Sequence, residues 1–356
     1  MSGLIHVLET VVGRARLFWN VDFHEAYLPD WDMPGHIGEG LASYPTDATR
    51  DVLPIPCHSH NDYWRRVPLF DALHWGCTGV EADVWNFDDE LYVGHSLAAL
   101  TANRTFSSLY VDPIIKLLDT MNPTTDFTKA AGQGVFDVDP KQTLVLLVDF
   151  KTNGAETFSV VSQQLERLRE RGYLSFWDGN TLNPRAVTVV GTGNTPFDVL
   201  VSNTTYRDIF FDAPLAELWE LPRNLVAVGE LENGTSLFAS SNAASNQGKG
   251  GTEGVTSSDV FNTSTSYYAS TSFAHTVGHV WRGHLTPRQM DKIRGQIRGA
   301  KRRGLKVRYW DTPTWPISLR NHIWHVLLKE GADVLNVDNL RGAAMEDWRR
   351  RTHEWW

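Results

Sequence analysis

The sequence predicts a single (β/α)8 barrel of the TIM type, an α/β fold, preceded by an irregular N-terminal segment. Three observations support this fold class. Apolar runs of strand length recur eight times and alternate with helical patterns in most of the gaps, which is typical of a parallel sheet. Residues 143–148 are apolar on both faces, as expected of a parallel strand covered on both sides. Polar residues follow several of these runs, where the strands of a barrel end.

The predicted elements follow one another in the order that such a barrel requires. The first strand, at residues 52–58, precedes a short helix at 68–76, with Pro68 in its first turn and Gly76 at its end. The second strand, at 79–87, turns through Asp88 and Asp89 into a short strand at 91–94. The remaining strands are predicted at 143–148, 186–193, 208–214, 267–273, 305–312 and 332–340, and the remaining helices at 107–121, 155–172, 287–304 and 318–331. An open doubly wound sheet is the alternative, but no glycine-rich phosphate loop follows the first strand.

The chain is divided into an N-terminal extension at 1–51, a barrel at 52–345 and a C-terminal tail at 346–356. Within the barrel, residues 232–264 are rich in Ser, Asn, Gly and Thr, which predicts a mobile surface loop. Residues 1–19 have apolar positions near helical spacing that are interrupted by charged residues. We therefore expect a docking helix, or the remnant of a longer N-terminus, rather than a signal peptide.

Composition limits the classes of partner. A hydrophobic content of 42% indicates a sizeable core, and the formal net charge of −9 argues against nucleic acid as a partner. The sequence has no run of 18 apolar residues, so we expect no membrane-spanning helix. The basic outer face of helix 287–304 is interpreted as a solvated face, with contact to anionic lipid head groups as the alternative. We also expect a monomer.

Cysteines and sequons bear on the compartment. Cys57 falls late on the first predicted strand and Cys77 lies before the second. A disulfide between them would require the two strands to be shifted along each other, so we expect two buried free thiols. Four Asn-X-Ser/Thr sequons favour a glycoprotein on a secretory or extracellular route. They lie at Asn103, Asn203, Asn233 and Asn262.

The stretch from 52 to 95 carries the densest set of candidate functional residues. Glu81 and Asp83 are two apart on the second strand, so they point to one face, roughly 7 Å apart along the chain. Such a pair repels unless a cation or a proton lies between the carboxylates. His60 and His95 flank the pair in sequence. The stretch therefore predicts a cation site at the carboxyl end of the barrel.

Asp149 and Lys151 end the third strand and complete this set. Three carboxylates suit a hard divalent cation, Mg²⁺ or less favourably Ca²⁺. His60 and His95 could deprotonate a nucleophile and protonate a leaving oxygen, because imidazole titrates near neutral pH. Lys151 could neutralise a phosphoryl oxygen. These residues are suited to breaking a P–O bond.

The strings SHNDYWRRVPLFDAL, GVEADVW, LYVGH, RTFSSLYVDPI and LVDFKT resemble the altered inheritance of mitochondria protein 6 family. That family belongs to the phospholipase-C-like phosphodiesterase barrels, with the glycerophosphodiester phosphodiesterases and sphingomyelinase D. The resemblance covers roughly residues 50–340. The order His, Glu-x-Asp, His, Asp-x-Lys of sphingomyelinase D is repeated by His60, Glu81-Ala82-Asp83, His95 and Asp149-Phe150-Lys151.

By this resemblance the chain is a phosphoric diester hydrolase or a phosphodiester-cyclising lyase that acts on a small-molecule or lipid phosphodiester. The resemblance makes His60 and His95 the acid/base pair, Lys151 a phosphate-binding residue, and Glu81, Asp83 and Asp149 the metal ligands. Trp310 resembles the tryptophan that lines the pocket in these barrels. Asn61 could orient a ligand or only bond the backbone. The chain lacks the His-Arg-Gly and His-Asp motifs of the glycerophosphodiesterases, which leaves the substrate open.

Two other functions compete with this one. A metal-dependent amidohydrolase would use His58 and His60 as a His-x-His ligand pair and Asp338 at the end of the last strand. It leaves Glu81, Asp83 and His95 without a role. The phosphodiesterase hypothesis gives Asp338 and Asn336 no role. A non-catalytic barrel that binds phospholipid or sugar phosphate would use tryptophans on its loops. These are Trp64, Trp85, Trp310 and Trp315.

Overall fold

A computed structural model describes residues 35, 47–127, 132–221, 257–281 and 283–346. Eight parallel strands form the barrel in these ranges: β1 (Ile55–Ser59), β2 (Cys77–Phe87), β4 (Leu144–Phe150), β7 (Val187–Gly193), β8 (Ile209–Pro214), β9 (Ser266–Ser272), β10 (Lys306–Trp310) and β11 (Val334–Val337). The strand order is β1-β11-β10-β9-β8-β7-β4-β2, and pairing of β1 with β2 closes the sheet. The predicted TIM-type fold class is confirmed.

Helices cover the outside of the sheet. They are α1 (Phe70–His74), α2 (Asp112–Met121, entered through a π-helical turn at Ser107–Val111), α3 (Gly154–Gln164), α4 (Glu166–Glu170), α5 (Phe197–Ser202), α6 (Phe273–Thr276), α7 (Pro287–Arg302), α8 (Ile317–Glu330) and α9 (Leu340–Ala344). Side-chain caps start four of these helices, from Asn153, Ser272, Thr286 and Asn339. Thr286 and Gln289 form a capping box at the start of α7, and Gly331 ends α8 in the left-handed region.

Some elements differ from the prediction. The helix expected at 155–172 is divided into α3 and α4, and a short antiparallel pair, β5 (Phe176–Trp177) and β6 (Leu182–Asn183), follows it. Two-residue strands leave no periodic signal in the sequence, which is why β5 and β6 were not predicted. The short strand β3 (Glu90–Val93) pairs antiparallel with β2, as the Asp88-Asp89 turn predicts.

Alternation along the strands separates a helix-facing layer from the barrel interior. On β4, Leu144, Leu146 and Val148 belong to the large core beneath the helices, whereas Val145 and Leu147 belong to a second cluster inside the barrel. All seven residues of β4 are buried. The interior becomes polar toward the carboxyl end of the strands, where Asp149 follows Leu147 on the same face.

The expectation of two free thiols is wrong, because Cys57 and Cys77 form a disulfide with their Cα atoms 4.5 Å apart. The register between β1 and β2 shifts between Ile55, which pairs with Cys77, and His58, which pairs with Gly79. A regular register would place Cys57 opposite Gly79, out of level with Cys77. The extra residue in β1 moves Cys57 one position closer to Cys77 in register, which brings the two cysteines within bonding distance.

The predicted N-terminal extension and C-terminal tail lie largely outside the described residues, as does most of the predicted mobile loop at 232–264. These domain boundaries therefore stay predictions. At their edges the structure describes two short 3₁₀ turns, Asp47–Thr49 and Ser258–Val260. Among the described residues, no helix is both long enough and apolar enough to cross a membrane.

Removing the disulfide should destabilise the barrel. A Cys57→Ala/Cys77→Ala protein should lose about 3 kcal/mol of unfolding free energy, because the bridge closes a loop of about 20 residues in the unfolded chain. Denaturant titration of the wild-type and double-mutant proteins measures the difference. Thiol titration of the unfolded, unreduced wild type is the control: two free thiols would contradict the disulfide.

Candidate active site

Three carboxylates meet at the carboxyl end of the barrel. Glu81 and Asp83 lie on β2 and Asp149 lies on β4, where parallel pairing places Asp83 opposite Asp149. One oxygen from each of the three side chains lies within 4.8 Å of the other two. All three residues are buried. The structure thus brings together the three residues that the sequence predicts as metal ligands.

The electrostatics of this triad are unbalanced. Burial and the neighbouring Asp149 raise the pKa of Asp83 to about 7, although Lys151 opposes this shift. Burial also works against the charge of Glu81, but His60 and Arg308 outweigh it and lower the pKa of Glu81 to about 2. The site therefore contains one firmly ionised carboxylate and one that holds a proton up to neutral pH. A cation that displaces this proton would relieve the repulsion between Asp83 and Asp149.

Lys151 neutralises part of this charge. Its Nζ lies 2.7 Å from Asp149 Oδ2 and 3.0 Å from Asp83 Oδ2. Burial works against the charge of Lys151, but the two carboxylates outweigh it and raise its pKa. The ammonium group is therefore charged and is held at the edge of the triad, where the sequence predicts a phosphate-binding group.

His60 is held by a carboxylate at the end of the last strand. Its Nδ1 lies 2.8 Å from Asp338 Oδ1, and its Nε2 lies 3.8 Å from Glu81 Oε2. Burial lowers the pKa of His60, but Glu81 and Asp338 outweigh it, and the net shift is upward. Asp338, which the phosphodiesterase hypothesis leaves without a role, thus orients His60 and leaves its Nε2 directed toward the triad.

His95 reaches the site from the hairpin formed by β2 and β3, and not from a barrel strand. The hairpin folds back so that the Gly94 N–H donates to the Asp83 carbonyl at 3.1 Å. His95 Nδ1 then lies 3.7 Å from Asp83 Oδ2. The His95 side chain is 57% exposed, and the ring of Trp64 lies 5.1 Å from its ring. The two histidines flank the carboxylates as predicted, but they differ in how firmly they are held.

Asn61 and Tyr63 support the triad from the loop after β1. Asn61 has a φ of 46°, a left-handed conformation that Asn tolerates, and its N–H donates to Glu81 Oε2 at 3.0 Å. The Tyr63 hydroxyl lies 2.7 Å from Asn61 Oδ1 and 2.8 Å from Asp83 Oδ2. Asn61 is buried, and its contacts with Glu81 and with Tyr63 are both within the protein. Its predicted contact with substrate stays a prediction.

Arg308 is a site residue that sequence reasoning missed. It is fully buried inside the barrel, where its Nε donates to Asn336 Oδ1 at 3.0 Å and its Nη2 lies 3.3 Å from Glu81 Oε1. Its Nη1 lies 3.7 Å from Asp212 Oδ2. On β10, Arg308 alternates with the apolar residues Val307 and Tyr309, which is the one signal that could have placed it on the interior face.

His58 lies deeper in the barrel than the triad. It is fully buried, and its Nδ1 lies 3.5 Å from the Tyr268 hydroxyl. Burial and the neighbouring Arg308 lower the pKa of His58 well below its usual range. Within the part of the chain that the structure describes, the group of side chains arranged to hold a metal ion is the carboxylate triad, and His58 is not part of it.

A cavity of about 470 Å³ opens beside the two histidines, which is large enough for a small ligand. Trp310, which the sequence predicts to contact substrate, lines it. The other lining residues come from the loop after β10, from α8 and from the end of β11. They are Asp311, Thr312, Pro313, Thr314, Arg320, Trp324, Asn336, Asp338 and Asn339.

Comparison with known proteins gives consistent matches. A family model described as an AIM6-like phosphodiesterase domain matches residues 46–212. A protein of Arthroderma benhamiae named Altered inheritance of mitochondria protein 6 homolog is 39% identical over 311 residues, which cover 84% of this chain and 86% of that protein. No solved structure matches the chain significantly.

Two further relatives carry the name Altered inheritance of mitochondria protein 6. The protein of Eremothecium gossypii is 33% identical over 82% of this chain and 69% of its own length. The protein of Saccharomyces cerevisiae is 32% identical over 82% of this chain and 70% of its own length. These names refer to mitochondrial inheritance and give no activity.

The triad predicts a pH-dependent response to divalent cations. Mg²⁺ added to chelator-treated protein should raise the melting temperature, because a cation held by the folded carboxylate site would stabilise the folded state. Below pH 7 a proton on Asp83 competes with the cation, so the apparent affinity should fall toward tenfold per pH unit. Differential scanning fluorimetry with Mg²⁺ titrations between pH 6 and pH 8 measures this.

The matched variants are Asp149→Asn, which should abolish the Mg²⁺ response, and Asp89→Asn, which should keep it. Asp89 is exposed and has a φ of 61°, which Asn also tolerates, so its substitution controls for the loss of one acidic charge. An equal Mg²⁺ response in both variants would place the cation elsewhere.

Proposed function

The chain belongs to the altered inheritance of mitochondria protein 6 family, and on that premise we propose that it is a metal-dependent phosphodiesterase for phosphodiesters of lipid or glycerol origin. The observation that carries this proposal is the carboxylate triad, with its oxygens within 4.8 Å of one another, flanked by two imidazoles. The AIM6-like phosphodiesterase match over residues 46–212 supports the same reaction class.

The donor set fits a hard divalent cation. Glu81, Asp83 and Asp149 offer carboxylate oxygens only, which favours Mg²⁺ and, less strongly, Ca²⁺. The raised pKa of Asp83 indicates that the positive groups near the triad do not fully balance the charge of its carboxylates. When bound there, the cation would supply charge neutralisation at the non-bridging oxygens of the phosphodiester.

The two histidines move the protons. One imidazole takes the proton from the attacking oxygen, and the other gives a proton to the oxygen that leaves phosphorus. Asp338 holds Nδ1 of His60, so Nε2 is the atom of His60 that exchanges the proton. Attack by water gives a phosphomonoester, and attack by a hydroxyl of the substrate gives a cyclic phosphate.

Lys151 and Trp310 would bind the substrate. The ammonium of Lys151 stands beside Asp83 and Asp149, where it can also neutralise a phosphoryl oxygen. Trp310 lines the cavity next to both histidines and would pack against the organic part of the substrate. The Trp64 ring is 58% exposed beside His95 and would contact the lipid part of the substrate.

We further propose that the protein works in an oxidising compartment. The Cys57–Cys77 disulfide is of a kind that persists in secreted proteins. The sequon residues Asn103 and Asn203 are exposed, as glycosylation requires, whereas Asn233 lies outside the described residues. A secretory or extracellular location accounts for both features.

Substitution of either histidine should remove most of the activity. His60→Ala and His95→Ala should each lower turnover by ~10²–10⁴-fold, because each removes a group that transfers a proton in the reaction. Hydrolysis of bis-p-nitrophenyl phosphate and of a lysophospholipid, with and without chelator, measures the effect. His74→Ala, at an exposed position on α1, is the matched control and should retain full activity.

Three outcomes would redirect the assignment. Full activity in one histidine variant would exclude that residue from the mechanism. Loss of metal binding in His58→Ala would favour the amidohydrolase hypothesis. If no chelator-sensitive hydrolysis occurs with any substrate of the panel, the non-catalytic binding barrel becomes the better hypothesis.

A further inference from the structure

The cavity beside the histidines contains a buried cation that the proposed reaction does not use. Arg320, the fourth residue of α8, lines this cavity and is only 7% exposed. Its Nε donates to Asn321 Oδ1 at 2.9 Å. Among the described residues, no carboxylate lies within 4.0 Å of its guanidinium, and its two terminal nitrogens make no hydrogen bond. Glu346, which Asn321 bonds, favours the charge of Arg320 without contacting it. A buried arginine is ordinarily paired with an anion.

The guanidinium is held in place by packing. It lies over the ring of Trp324, with Cζ 4.4 Å from the ring centroid. On another side it approaches Gly342, where an added Cβ would lie 2.9 Å from Arg320 Nη2. The guanidinium is therefore held in one orientation on a residue that lines the cavity, and a guanidinium can bind a carboxylate or phosphate through two parallel hydrogen bonds.

Trp310 and two carboxylates share this wall with Arg320. The ring of Trp310 lines this wall, but its indole Nε1, which has no hydrogen-bond partner within the described ranges, is buried and not open to the cavity. Two carboxylates also line the cavity, but both are already engaged: Asp338 by His60 and Asp311 by the Ser272 hydroxyl at 2.9 Å. Apart from this buried N–H, the side-chain donors of Arg320 and Trp310 that stay without a hydrogen bond are the terminal nitrogens of Arg320.

We propose that Arg320 forms an anion subsite, and that the preferred substrates are phosphodiesters whose organic part carries a second negative group, a carboxylate or a phosphate. This inference rests on the proposed function, because it places the scissile phosphate at the carboxylate triad and the second anion at Arg320. It assigns specificity to a residue outside the acid/base and metal set.

A matched pair of substrates tests the subsite directly. Glycerophosphoserine and glycerophosphoethanolamine differ by one carboxylate, and wild-type protein should show about 10–100-fold higher kcat/KM for the serine compound, as expected of a charge-assisted hydrogen bond. Arg320→Gln should remove this preference while retaining activity on the ethanolamine compound. Arg66→Gln, at an exposed arginine in the loop after β1, is the matched control and should keep the preference.

Binding of the corresponding phosphomonoesters separates the subsite from the reaction. Isothermal titration with O-phosphoserine and O-phosphoethanolamine should show the same preference, lost in Arg320→Gln and partly restored in Arg320→Lys. If neither diester is hydrolysed but phosphoserine is still preferred, the subsite stands and the proposed reaction is wrong. Equal affinity of wild-type protein for both monoesters, or an unchanged preference in Arg320→Gln, would overturn the subsite even if Arg320→Lys fails to fold.

Discussion

The structure depends on the repulsion between acidic side chains that parallel pairing forces together. Because Asp83 lies opposite Asp149 in the β2–β4 register, the backbone of the barrel holds these two acidic residues next to each other. The surrounding groups act to balance this charge: the Lys151 ammonium from the end of β4, Arg308 from inside the barrel and the Tyr63 hydroxyl from the loop after β1. A divalent cation would complete the balance. This charge arrangement, more than the fold, distinguishes the site.

Most of the barrel follows from local sequence pattern. The strands are short apolar runs, and a run such as β4, buried on both faces, is typical of a parallel sheet. The candidate site could also be predicted from the sequence, because Glu81, Asp83 and Asp149 follow such runs and strand ends converge in a barrel. Residues two apart on one strand share a face, so the pair on β2 could be predicted without knowing any partner.

The features that sequence reasoning missed depend on contacts between distant segments. Arg308 reaches Glu81, 227 positions earlier in the chain, and Asp338 reaches His60 across 278 positions. No local pattern specifies such a pairing. The disulfide was missed for a related reason: an irregularity in β1 shifts the pairing register by one residue, and the sequence around Ile55 and His58 gives no sign of it.

The hairpin that carries His95 has an evolutionary consequence. His60 is anchored between β1 and β11 in the closed sheet, whereas His95 follows β3, an edge strand added outside the ring of eight. Insertions, deletions or substitutions in the β2–β3 hairpin can therefore move His95 without disturbing closure of the barrel. We therefore expect paralogues to differ in chemistry mainly at this hairpin, while they share the eight-stranded sheet.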